Sequence, residues 1–69
     1  METRNQKEIL ESLIRKDDRY RRIYYYYNNF AIGSKVSWDD AFTYFDFNEG
    51  MSPEEFDAEM WRVWGKILK

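Results

Sequence analysis

The chain has 69 residues, a formal net charge of −2, and neither cysteine nor histidine. This excludes disulfide staples, structural zinc, and most nucleophile and acid–base sets used in catalysis. A single domain over 1–69 is expected, and a chain this short buries only about 60% of the surface its unfolded state exposes.

The fourteen aromatic residues stand in for staples, because each Phe, Tyr or Trp can bury about 150–250 Å². Apolar residues make up 43% of the chain and charged ones 35%, a globular composition and not a disordered one. No run approaches the ~18 apolar residues of a membrane span, and residues 1–7 are too polar for a secretory leader. No membrane association is expected, and the location expected is cytoplasmic.

In chain order, Ile9, Leu10, Leu13 and Ile14 define an amphipathic helix over about 4–17. Tyr20, Ile23, Tyr24, Tyr27 and Phe30 or Ala31 resume the same period, which predicts a second helix over 18–31. A strand over residues 22–27 is the competing reading, because that stretch is rich in residues that favour sheets. Helical flanks, no visible pairing strand and no turn signal within the tyrosine run decide for helix, and Ile32-Gly33-Ser34 ends it.

Ser37 caps a third segment with Asp39 and Asp40 in its first turn, predicting a short helix over 38–47 that Gly50 helps to stop. Ser52-Pro53-Glu54-Glu55 then spells a capping box with proline at the first helical position, and Met51 with Phe56 forms a hydrophobic staple. Phe56, Met60, Val63, Trp64 and Ile67 continue at helical spacing, so a fourth helix spans 53–68 and pairs with the third as a C-terminal helical hairpin. The fold class is all-α, a small bundle of three to four helices.

Charge is strongly segregated. Residues 36–60 carry eight carboxylates and no Lys or Arg, whereas residues 1–35 and 61–69 each have a net charge of +3. Helix dipoles account for Asp39, Asp40, Glu54 and Glu55, which leaves Asp46, Glu49, Asp57 and Glu59 as steering groups for a partner protein with a basic surface.

A domain of this size buries about ten to fifteen large side chains, and this chain offers more. Trp61 lies about 100° around the helix from Met60, while Tyr25 and Tyr26 lie off the Tyr20/Tyr24/Tyr27 face, so these three are the expected exposed anchors. A homodimer would use the same surface. The alternative partner is nucleic acid, for which Arg15, Arg19, Arg21 and Arg22 would meet phosphates while the neighbouring tyrosines stack on bases.

Asp46-Phe47-Asn48-Glu49-Gly50-Met51-Ser52-Pro53-Glu54-Glu55-Phe56 resembles a calcium-binding EF-hand loop. The resemblance implies oxygen ligands at Asp46 and Asn48, a turn at Gly50 and a closing Glu55. Gly50 stands fifth from Asp46 where the loop has its glycine sixth, and Glu55 tenth where the loop closes at the twelfth. A turn leading into a capped helix accounts for the same residues, so no metal and no cofactor is expected. The chain is read as a non-catalytic binding module, and in size and charge segregation it is similar to small phage or mobile-element accessory proteins that inhibit or redirect a host machine.

Overall fold

The computed structural model describes residues 5–67. Four α-helices follow in order: α1 (Gln6–Lys16), α2 (Asp18–Ser34), α3 (Trp38–Ala41) and α4 (Pro53–Ile67). Residue 4 and Leu68, at the expected ends of the first and last helices, lie outside the described residues, as does the side chain of Ile67. None of the described helices is long and apolar enough to cross a membrane.

Asn5 caps α1 by accepting the Glu8 N–H, and Arg15 and Lys16 occupy its last turn, where the helix dipole favours cations. Asp17 is extended (φ −158°, ψ 143°) and accepts the Arg19 N–H at 3.0 Å, so this one residue ends α1 and caps α2. The tyrosine run is helical throughout. α2 passes through Gly33 and ends beyond it, with Lys35 in the left-handed conformation (φ 60°, ψ 32°). There the Lys35 N–H bonds to the Ile32 carbonyl and the Val36 N–H to the Ala31 carbonyl, both at 3.1 Å, a Schellman closure with lysine where glycine is usual.

α3 is a single turn capped by Ser37 and stops at Ala41, six residues short of the predicted end at 47. From Tyr44 to Asn48 the chain becomes an irregular strap with alternating exposure: Phe45 and Phe47 point inward, and Tyr44, Asp46 and Asn48 outward. Only extended backbone puts residues two apart on one side, and three side chains stabilise it there. Gln6 bonds both the N–H and the carbonyl of Phe47, Glu59 accepts the Asp46 N–H, and Arg62 donates to the Tyr44 carbonyl. The predicted C-terminal hairpin is therefore one helical turn and a strap leading into α4, and the main helix contacts are α1 on α2 and α2 on α4.

The capping box of α4 forms in full: the Glu55 N–H donates to Ser52 Oγ at 3.2 Å and the Ser52 N–H to Glu55 Oε1 at 2.8 Å. Met51 and Phe56, the staple pair, are both buried.

The centre is a chain of ring contacts. Trp38 meets Trp64 edge-on (4.9 Å, 86°), Trp64 meets Phe45, Phe45 stacks on Phe47 (4.6 Å, 15°), Phe47 touches Phe56, and Phe56 meets Tyr20. Each such pair contributes about 0.5–1.5 kcal/mol beyond its buried area, which is how a stapleless chain closes a small core. Tyr20 donates its hydroxyl to the Met51 carbonyl at 2.8 Å, tying α2 to the entry of α4. The Cα envelope is 33 × 28 × 16 Å. Its thin dimension matches about two helix layers, so the long helices keep outer faces in solvent.

Candidate functional site

The carboxylates of the acidic segment divide into structural and solvated groups. Glu59 is structural: its side chain accepts from Asp46 N–H (2.7 Å) and Arg62 Nε (2.9 Å), and it pins the strap to α4. The hydrogen bond from Arg62 comes first among the causes that hold its carboxyl below the usual range. Glu55 is partly committed to its cap. Asp39, Asp40, Asp46, Glu49, Glu54 and Asp57 are all exposed. Of the four acids singled out for steering, Asp46, Glu49 and Asp57 thus present themselves to solvent, while Glu59 holds the fold together.

The four arginines behave differently. Arg15 pairs with Glu11 (3.8 Å), Arg19 with Asp17 (2.8 Å) and Arg21 with Asp18 (2.9 Å). Arg19 also holds the Asp17 carboxyl below its usual range, chiefly through their side-chain hydrogen bond. Arg22 joins Arg19 and Ile23 on one wall of an open cleft whose other wall is Pro53, Glu54 and Asp57. Each of these cations has a carboxylate close by, which lowers the positive potential a phosphate backbone would meet.

Trp61 is 64% exposed whereas Trp64, three residues on, is fully buried. Tyr25 and Tyr26 are both exposed but belong to different flanks of α2. Tyr25 leans on Tyr24, while Tyr26 packs edge-on against Phe30 (5.2 Å, 78°) and Tyr27 (5.1 Å, 88°). Phe30 itself is exposed, because Ala31 takes the inward place in that turn. Sequence reasoning also missed the exposure of Ile32 and Tyr44. The signal for Tyr44 was the alternation Tyr44, Phe45, Asp46, Phe47, Asn48.

At the seam between α2 and α4, Arg19 lies within electrostatic reach of Glu54, and the buried Tyr27 phenol hydrogen-bonds Asp57. Burial, then the Asp57 charge, then that hydrogen bond push the Tyr27 pKa up to about 12. Residue numbers rise together along the two helices at these contacts. Phe30 follows Tyr27 by one turn on α2, and Trp61 follows Asp57 by one turn on α4. Tyr26 and Phe30 thus pair on an outer flank of α2, and Trp61 stands exposed on α4 one turn after Asp57.

The EF-hand-like oxygens serve the backbone: Asn48 Oδ1 accepts the Gly50 N–H at 3.1 Å, and Glu55 caps α4. No group of three or more His, Cys, Asp or Glu side chains among the described residues is placed to hold a metal ion. In comparisons with known proteins, no family model, no curated protein and no solved structure matches the chain.

Proposed function

We propose that this chain is a non-catalytic module that binds a partner protein with a basic surface through the acidic, aromatic side of the α2/α4 seam. The observation that carries this reading is an asymmetry of charge. Apart from Glu59 and the capping Glu55, the carboxylates of residues 36–60 are exposed, and that segment contains no lysine or arginine, whereas Arg15, Arg19 and Arg21 each have an acid within 4 Å. Asp46, Glu49, Glu54 and Asp57 steer, while Trp61, Tyr26 and Phe30 supply desolvated contact area. A basic protein surface is commonly one that takes nucleic acid, so occluding such a groove is the role these features fit, and a cysteine-free chain suits a reducing cytoplasm.

The test is a pull-down from native lysate with the immobilised protein, at low and high salt and with nuclease in parallel. Capture that survives nuclease, weakens at high salt and disappears in Asp57→Lys/Glu54→Lys is expected. Recovery of nucleic acid, or capture strengthened by those reversals, would overturn the reading.

A further inference from the structure

The open cleft between α2 and α4 has walls of opposite sign. Arg19 and Arg22, three residues apart on α2, face Glu54 and Asp57, three residues apart on α4, with the half-buried Ile23 and Pro53 between them. The two helices run in the same direction: Tyr20 meets Phe56 near one end, and Trp38 bridges Tyr24 to Trp64 near the other. Equal spacing on parallel helices puts the cation pair and the anion pair at about the same level. All four charged residues are exposed, and among the described residues no ion pair joins the two walls within 4 Å. Arg19 turns instead to Asp17.

We infer that this face is a homodimer interface, closed by a second copy of the chain about a two-fold axis that runs along the α2/α4 seam. An isologous interface needs a surface complementary to itself. Rotation about an axis along the seam brings the α2 wall of each copy over the α4 wall of the other. Arg19 and Arg22 of one copy then meet Glu54 and Asp57 of the second, and the same contacts occur in reverse. A two-fold axis across the seam would place arginine on arginine and acid on acid, so charge selects one arrangement, with the helices of both copies parallel. This goes beyond capture of a basic partner and does not depend on it.

Ion pairs at a wet surface contribute little by themselves, and the apolar share comes from the same helix. Tyr26 follows Arg22 by four residues and Phe30 follows Tyr26 by four, so their exposed, edge-paired rings continue the α2 wall beyond the arginines. Six cleft residues and two rings are far fewer than the roughly 20–30 residues a side of a standard interface. The dimer is therefore weak, with a dissociation constant of about 0.1 mM. Because it takes up Glu54 and Asp57, the dimer and a basic partner exclude each other.

The test is sedimentation equilibrium of the purified full chain at about 20 μM and about 1 mM, on either side of that constant. The mass should rise from one chain toward two, and less so at high salt. Arg19→Glu/Arg22→Glu and Glu54→Lys/Asp57→Lys should each stay monomeric at both concentrations. An equimolar mixture of these two variants should dimerise again, because a copy with two acidic walls meets a copy with two basic ones. Circular dichroism checks that both keep their helices. If either does not, Arg22→Gln and Asp57→Asn give the milder form of the test, each expected to weaken the dimer about three- to tenfold through two lost ion pairs. A parent chain that stays monomeric at the higher concentration overturns the interface. So do reversal variants that dimerise on their own, a mixture of folded variants that stays monomeric, or an unchanged dimer in both Arg22→Gln and Asp57→Asn.

Discussion

Along α4, the face that carries Phe56, Met60, Val63 and Trp64 is buried, with rings from α2, α3 and the strap against Phe56 and Trp64, whereas Asp57, Ala58 and Trp61 are exposed. Trp64 meets Trp38 and Phe45; Trp61 lies against Gly65 of its own helix. Two tryptophans three residues apart thus have separate surroundings, one in the core and the other in solvent. The difference follows from helical geometry, since a three-residue step on a helix two layers deep is enough to move a side chain from the core stripe to the rim.

The largest effect should separate the two faces outright. Trp64→Ala is expected to cost about 3–5 kcal/mol, most of the stability of a 69-residue domain, whereas Trp61→Ala should stay within about 0.5 kcal/mol of the parent. Urea unfolding followed by circular dichroism checks both, and a comparable loss in the two variants would break the distinction.

Tyr27 lies where the two faces meet, and its raised pKa gives the next effect. A phenol whose folded value of about 12 exceeds an unfolded value near 10 favours the folded state below pH 10 and loses that contribution as the pH rises toward 12. Tyr27→Phe should flatten this alkaline limb relative to the parent, and an unchanged limb would remove Tyr27 from the account.

The strap is what keeps the inner face covered, so weakening it should loosen Phe45 and Phe47 without touching Trp61. Gln6→Ala removes both side-chain bonds to Phe47 and should cost about 1–2 kcal/mol, seen as faster amide exchange at Phe47 than at Trp61. Glu59→Gln keeps an acceptor for Asp46 but loses the charge beside Arg62, and should cost about 1 kcal/mol at neutral pH. Glu59 is held below its ordinary value, so its contribution is present above about pH 4.5 and fades as the pH falls through the lowered folded value. In Glu59→Gln that acid limb should be shallower.

The parts of this fold legible in the sequence were those whose cause is local. The capping box Ser52 to Glu55, the Met51/Phe56 staple and the Ser37 cap are each closed within a few residues, and all form. The helical period also separated Trp61 from Trp64 and placed Tyr25 and Tyr26 outside.

What was not legible depended on distant partners. The strap replaces the predicted helix beyond Ala41 because Gln6, 41 residues away, and Glu59, 13 residues away, satisfy its backbone. Lys35 takes the left-handed cap that Gly33 appeared to offer because the Ala31 and Ile32 carbonyls are the ones closed there. Glu59 was grouped with the steering acids because its neighbours in sequence gave no sign that the Asp46 backbone would fold back onto it.

The most direct measurement is a backbone and indole amide NMR titration of the dilute, monomeric chain with hexa-arginine. The account predicts that the Trp61 indole N–H and the amides of 57–65 move first, with Tyr26 and Phe30 following, while Trp64 and residues 15–22 stay still. Shifts spread evenly over Asp39, Asp40, Asp46 and Glu49 with the Trp61 indole unmoved would contradict it.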